Sequence, residues 1–185
     1  MNRLNGKCVY VVPFEERHLV HPKYYEWLID LKVMRYIGRE EYLKPIEFAK
    51  VRQYVEQLWH SKYCLFFAVH RSESDQFIGT TKINYFHEAG LASRTADIGI
   101  MIGDRDSWGK GIATDALHTV CNYAFSVQNA RKLTAGAMAP NLGAIKAFKK
   151  IGFLEEACLR KQLLVSDEYV DHVLLGCFRD ELRNA

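Results

Sequence analysis

Trp108-Gly109-Lys110-Gly111-Ile112-Ala113-Thr114 joins a predicted strand to a predicted helix. Ahead of it, Ala96-Asp97-Ile98-Gly99-Ile100-Met101-Ile102 reads as a strand. Behind it, the apolar pairs Ile112/Ala113, Ala116/Leu117, Val120/Cys121 and Ala124/Phe125 recur close to helical spacing. Glycines at such a junction leave backbone N–H groups bare at the positive end of a helix, which suits a phosphate or pyrophosphate. Two better-known phosphate loops do not fit. A Walker loop places four residues between its first glycine and Gly-Lys, then Ser or Thr. Here five residues separate Gly103 from Gly109-Lys110, and Gly111 follows the lysine. A dinucleotide fingerprint needs a small residue where Thr114 stands and an acid about twenty residues on, where Leu133-Thr134-Ala135 lies. A bare G-x-G is also what a tight strand-to-helix turn looks like.

The next segments narrow the choice. Arg131-Lys132-Leu133-Thr134-Ala135-Gly136-Ala137-Met138 reads as a strand, and Pro140-Asn141 opens a short helix through Lys150, closed by Gly152 with Phe153 behind it. The pattern N-x-x-A-x-x-x-[FY]-x-x-x-G-F is filled by Asn141, Ala144, Phe148, Gly152 and Phe153. The order strand, glycine loop, helix, strand, Asn, helix, Gly-Phe resembles the GNAT superfamily of acetyl-CoA-dependent N-acetyltransferases. Within it, Trp108-Gly109-Lys110-Gly111, the closing Tyr169-Val170-Asp171-His172-Val173-Leu174-Leu175 and the early Tyr25-Glu26-Trp27-Leu28-Ile29-Asp30 resemble the ribosomal-protein N-terminal acetyltransferase (RimJ/RimL-like) branch. That branch also contains polyamine and sugar-amine acetylators. The resemblance spans nearly the whole chain.

Length and composition set the bounds. A chain of 185 residues that is 49% hydrophobic can bury a core as one domain over residues 1–185. A formal net charge of +3 is too small to argue for nucleic acid. The densest basic cluster, Lys146, Lys149 and Lys150, is either a solvated face or an aid in holding an anionic cofactor. Five cysteines, Cys8, Cys64, Cys121, Cys158 and Cys177, are odd in number and lack C-x-x-C pairing, which fits free thiols in a reducing cytoplasm. No apolar run reaches transmembrane length and the N-terminus does not read as a signal peptide, so a soluble, cytoplasmic protein is expected. His18 and His21 have no acidic or cysteine partner at ligand spacing, so no metal is expected. Oligomeric state stays open, with a homodimer among the options.

Along the chain, Cys8–Val12 reads as the first strand, ended by Pro13, and residues 22–31 as a short helix. Pro45 starts a second helix with Phe48, Val51, Val55 and Leu58 on one face. Cys64–Val69 and Phe77–Phe86 read as paired strands about a polar turn at 71–76, and two strand regions close the chain, around 154–165 and 169–178. The expected architecture is an α/β domain with a mixed, mostly antiparallel central sheet and flanking helices. The connection from strand 95–102 through helix 109–126 to strand 131–138 makes those two strands parallel. In the GNAT fold these strands splay, and acetyl-CoA lies between them.

The resemblance also assigns roles. Backbone amides of Trp108, Gly109, Lys110, Gly111, Ile112 and Ala113 would hold the pyrophosphate of acetyl-CoA. Ile100, Met101 and Ile102 would present backbone groups to the pantetheine arm, one amide polarising the thioester carbonyl as in an oxyanion hole. Asn141 is either a helix N-cap or a contact to the cofactor arm. Asp106 replaces the usual Gln or Arg and is expected to cap the following helix. Phe148 stands where many family members carry a tyrosine that protonates the departing thiolate, a proton phenylalanine cannot give. Asp97, within A-[DE]-[IL]-G, is the candidate proton relay, or else a salt-bridged or solvated strand acid. His87-Glu88 is a second relay candidate. Tyr169 and Asp171 either shape the acceptor pocket or serve cross-strand packing. Cys121 and Cys158 look packed rather than activated, which argues against an acyl-cysteine intermediate.

The expected activity is acetyl-CoA-dependent N-acetylation of a primary amine by direct attack in a ternary complex. A small-molecule acceptor such as an amino sugar is favoured. The alternatives are a protein N-terminus and a non-catalytic acyl-CoA-binding module. The aromatic front of Tyr24, Tyr25, Trp27, Tyr36 and Tyr42 suits a sugar or nucleotide, or simply helix packing. A polyamine would want clustered acids, for which Glu40-Glu41 and Asp167-Glu168 are the sequence candidates.

Overall fold

The strand–turn–helix–strand unit predicted from residues 95–138 forms the middle of the molecule. It consists of β5 (Thr95–Ile102), α6 (Ile112–Ser126) and β6 (Lys132–Met138). The structure, a computed structural model, describes residues 3–37, 46–165 and 167–184. Ahead of this unit come β1 (Leu4–Asn5), β2 (Val9–Pro13), α1 (Glu16–Leu19), α2 (Pro22–Ile29), α3 (Leu31–Met34), α4 (Phe48–His60), β3 (Cys64–Arg71), β4 (Phe77–Asn84) and α5 (Glu88–Ser93). After it come α7 (Leu142–Lys150), β7 (Leu154–Val165) and β8 (Glu168–Phe178).

The strands form one sheet in the order β1-β2-β3-β4-β5-β6-β8-β7. Every neighbouring pair is antiparallel except β5–β6, which is parallel as the helical crossover requires. That pair is short: Thr95 faces Lys132, Ala96 faces Leu133 and Asp97 faces Thr134, and there the ladder ends. Each strand continues on its outer partner alone, β5 on β4 as far as Ile102 and β6 on β8 as far as Met138. The two strands therefore part into a V.

Side chains alternate across the sheet and build a core on each face. One core gathers Val9, Val11, Ile78, Ile83, Ile98, Leu133 and Leu175 against α6 and α7. The other packs Phe14, Tyr24, Trp27, Leu28, Val51 and Val55 of the N-terminal helices against Ala68 and Phe77. Helix α6 is buried on most of its circumference, and its acid Asp115 is buried too. Asp115 accepts the backbone N–H groups of Lys7 (3.0 Å), Cys8 (2.8 Å) and Val9 (3.0 Å). Burial pushes its pKa up, but these N–H groups and the Cys8 thiol outweigh burial and hold it below the usual carboxylate range. Asp115 thus staples the N-terminal turn to the first turn of α6.

Several boundaries differ from expectation. The first long strand is Val9–Pro13, with Pro13 as its last paired residue rather than the residue beyond it. The helix expected over 22–31 is broken at Asp30, whose extended backbone ends α2 and whose carboxylate accepts the Lys32 N–H at 2.8 Å to start α3. Helices α1 and α5 span four and six residues, too short to show periodicity. Pro45, expected to open α4, lies outside the described residues, and α4 begins at Phe48.

A buried histidine pair joins the N-terminal helices to the sheet. His18 Nδ1 accepts the Glu15 N–H at 2.9 Å, which places its proton on Nε2, 3.2 Å from His70 Nε2. His70 Nδ1 then donates to the Asp75 carbonyl at 3.0 Å, so both rings are satisfied as neutral imidazoles. Burial, and then the His70 ring, push His18 down to about 4. The unfolded chain takes up this proton near pH 6.5 and the folded chain only near pH 4. This contribution is complete above pH 6.5 and is lost as pH falls toward 4, about 3 kcal/mol in all. Urea midpoints measured at about pH 7 and about pH 4.5 should show a smaller acid loss in His18→Phe than in the parent. Equal losses would remove His18 from the acid response.

Candidate active site

The turn between β5 and α6 is built from residues that leave its backbone open. Gly109 (φ +73°) and Gly111 (φ +77°) both adopt the left-handed conformation that favours glycine, and a Cβ at either would meet nothing within 4 Å. Glycine is therefore required here by backbone conformation rather than by crowding within the protein. Gly111 is the N-cap of α6 and supplies no side chain, so the first N–H groups of the helix keep their donor capacity. Asp106 does not cap this helix, contrary to expectation. It is exposed in a single 3-10 turn over Arg105–Ser107 that precedes the glycines. Trp108 donates its indole N–H to the Ile102 carbonyl at 2.7 Å, fastening the turn to the end of β5 although the side chain is 44% exposed.

Two cavities open from the V. The first, about 540 Å³, is lined by Ile100, Met101, Ile102, Trp108, Gly109, Gly111, Ile112 and Ala113, and by Asn141, Lys146 and Lys150 across the gap. Lys32 of α3 also borders it. The second, about 230 Å³, lies between the sheet and the N-terminal helices, with walls from Tyr24, Tyr36, Tyr54, Phe66, Thr80 and Lys82. Ile100, Met101, Asn141 and Ala144 border both cavities and form their junction.

Most residues singled out in the sequence meet here. Lys110 borders neither cavity and is exposed. Phe148 borders the smaller cavity; it is 3% exposed and packs edge-on against Phe153 with ring centroids 5.0 Å apart. Asn141 performs the capping role, accepting the Ala144 N–H on Oδ1 at 3.2 Å, while its position at the junction leaves the amide nitrogen as a donor there. In the lysine cluster, Lys149 pairs with Glu155 at 2.7 Å, and Lys146 and Lys150 line the larger cavity.

Asp97 sits at the closed end of the V and borders neither cavity. Its carboxylate accepts the Thr134 hydroxyl at 3.3 Å. Burial raises its pKa, opposed by the Lys82 charge and the Thr134 hydrogen bond.

Other candidates are engaged elsewhere. His87 caps α5 by accepting the Gly90 N–H at 3.3 Å, and Glu88 receives Lys62 at 3.1 Å and the Tyr63 hydroxyl at 2.9 Å. Tyr169 is exposed and borders neither cavity, while Asp171 accepts the Lys161 N–H at 2.8 Å across the β7–β8 hairpin. Tyr25 donates to the Ile46 carbonyl, and Tyr42 and Glu40-Glu41 lie outside the described residues. Cys158 is exposed rather than packed, with desolvation and the neighbouring Asp171 raising its pKa. Burial raises Cys121 well above the thiol range, and no cysteine lines either cavity. Among the described residues no group of His, Cys, Asp and Glu could hold a metal ion. No helix among them is long and apolar enough to cross a membrane.

Sequence reading missed Thr80 and Lys82 of β4 and Lys32 of α3. Only the alternation of β4, which puts residues 80 and 82 on one face, could have found the first two.

Comparison with known proteins agrees with this geometry. The family model described as acetyltransferase (GNAT) domain matches residues 9–154. The probable N-acetyltransferase YjcK of Bacillus subtilis is 29% identical over 181 residues, covering 94% of this chain and 95% of its own. Spermidine N-acetyltransferase from Vibrio cholerae, solved in complex with CoA and spermine, superposes with a TM-score of 0.81 at 19% identity, covering 94% of this chain and 96% of that one. Mycobacterium smegmatis RimJ, solved with CoA-disulfide, superposes with a TM-score of 0.79 at 21% identity, covering 100% and 89%. With the family match spanning most of its length, this chain belongs to the GNAT acetyltransferase family and is an acetyl-CoA-dependent N-acetyltransferase.

Proposed function

We propose that residues 1–185 act as one domain that transfers acetyl from acetyl-CoA to the primary amine of a small molecule, an amino sugar being the favoured candidate. Transfer occurs by direct attack while both substrates are bound. The observation that carries this is the shared wall of the two cavities at Ile100, Met101, Asn141 and Ala144. A cofactor lying in the larger cavity would bring its thioester to that wall, and an amine in the smaller one would meet it there. The Trp108 N–H is taken by the Arg105 carbonyl at 3.0 Å, so the pyrophosphate would rest on the N–H groups from Gly109 to Ala113, with Lys146 and Lys150 lining the same cavity. Placement in the RimJ/RimL-like branch is supported by the Trp108–Gly111 turn and the Tyr169–Leu175 stretch. The free state of all five cysteines supports a reducing, cytoplasmic setting.

The proton balance is simple. The ammonium of the acceptor loses one proton before attack, nitrogen adds to the thioester carbonyl, the adduct gives up a second N–H proton to water, and its collapse to the amide expels the thiolate of CoA. Deprotonating an amine of pKa about 10.4 at pH 7 costs about 4–5 kcal/mol, against about 1–1.5 for an amine near 8. Asp97, with its pKa raised by burial, takes that proton through water, because it stands two residues from Gly99 in the cavity wall. Phe148 supplies no acid, so the thiolate leaves unprotonated or takes its proton from water.

Two measurements test this. Gly111→Val forces a β-branched residue to a positive φ and fills the space over the turn, so acetyl-CoA affinity by calorimetry should fall by roughly tenfold or more in a protein that stays folded. Unchanged affinity would move the cofactor elsewhere. Asp97→Asn should slow thiol release at about pH 7 more than at about pH 9, most for high-pKa acceptors, since those two pH units raise their neutral fraction by roughly a hundredfold and reduce the need for a relay. A variant matching the parent across that range would leave Asp97 a structural acid.

A further inference from the structure

Lys82 is the cation among the described residues that line the smaller cavity. It leaves the middle of β4 opposite Gly99 of β5, and its stem lies over that glycine. A Cβ at Gly99 would stand 3.1 Å from Lys82 Cε and 3.3 Å from Cγ. Residue 99 therefore has no side chain in the way, and the lysine runs flat along the cavity floor. Its ammonium has no ion pair or hydrogen bond among the described residues, although half-buried ammonium groups ordinarily gain one. Asp97, on the same face two residues before Gly99, feels its charge without forming a salt bridge to it.

Thr80 lies two residues before Lys82 on the same face of β4 and also lines the cavity. Its residue is buried, its hydroxyl has no partner among the described residues, and no buried side-chain oxygen is cut off from both partner and solvent. The hydroxyl therefore keeps contact with solvent, and its residue lines the same cavity as Lys82. No Asp or Glu is among the described residues that line this space, and Tyr36 and Phe66 form apolar walls around it. Such a lining favours an acceptor with a ring or short apolar body and a negative group, and it repels a second ammonium.

Building on the acetyl transfer proposed above, we infer that the acceptor is a primary amine that also carries an anionic group, carboxylate or phosphate, held by the Lys82 ammonium and the Thr80 hydroxyl. Lys82 is then a specificity-determining residue. The anion neutralises it on binding, and the amine is left to face the thioester at the Asn141 side of the cavity. A free polyamine would instead bring a further positive charge against Lys82.

The test uses matched acceptors with free-thiol detection: glucosamine against glucosamine 6-phosphate, tyramine against tyrosine, and spermidine. The sugar pair reads phosphate and the aromatic pair reads carboxylate. In the parent, the anionic member of at least one pair should have the higher kcat/KM by roughly tenfold. Lys82→Gln should bring that pair within about twofold, and Lys82→Glu should favour spermidine. A parent that prefers spermidine or the neutral members overturns the inference and would point to acids such as Glu40-Glu41. So does a preference that survives Lys82→Gln. If no amine releases thiol, the transfer reaction itself fails, and calorimetry on the CoA-loaded protein decides the rest. Lys82-dependent binding of an anionic amine upholds the pocket assignment, and its absence overturns it.

Discussion

Everything in this molecule that concerns function depends on where two parallel strands stop bonding to each other. β5 and β6 share a ladder only as far as Asp97 and Thr134, and each then follows its antiparallel neighbour. Backbone groups on the inner edges beyond that point have no strand partner, and an extended ligand can use them. The two cores on opposite faces of the sheet hold the arms of the V apart, because moving either arm would disturb packing on both sides.

The turn at the mouth of the V depends on the same frame. Helix α6 must keep its N-terminus over the gap, and Asp115 fixes it there by accepting three backbone N–H groups from the N-terminal turn. An acid in the first turn also satisfies the helix dipole from the side, leaving the end-on donors after Gly111 uncapped. The bare donors are thus a product of buried anchoring elsewhere, and an anion arriving there meets a site already arranged. Trp108 completes the arrangement through its bond to the Ile102 carbonyl.

The sequence carried the fold wherever a pattern was long enough to repeat. Helix α6, helix α7 and the parallel pair were legible because apolar spacing, the two glycines and Asn141 all agree. The rim of the larger cavity was legible for the same reason, since Gly109, Gly111 and Asn141 mark it in the sequence. The smaller cavity was not. Its walls come from β4, α2, α3 and α4, distant in sequence, and no local spacing announces that Lys82 will lie over Gly99. Asp106 misled because an acid near a helix start resembles a cap, whereas the 3-10 turn carries it away from α6. His87-Glu88 misled because the six-residue α5 that consumes His87 shows no periodicity.

We propose that the parted strands and the uncapped turn together hold acetyl-CoA, with its thioester at the wall shared by the two cavities. A crystal structure of the protein with CoA bound decides this. The pyrophosphate should lie on the backbone N–H groups of Gly109 to Ala113, the pantetheine arm between β5 and β6, and the sulfur beside Ile100, Met101 and Asn141. A cofactor bound outside the V, or one whose sulfur points away from the smaller cavity, would contradict it.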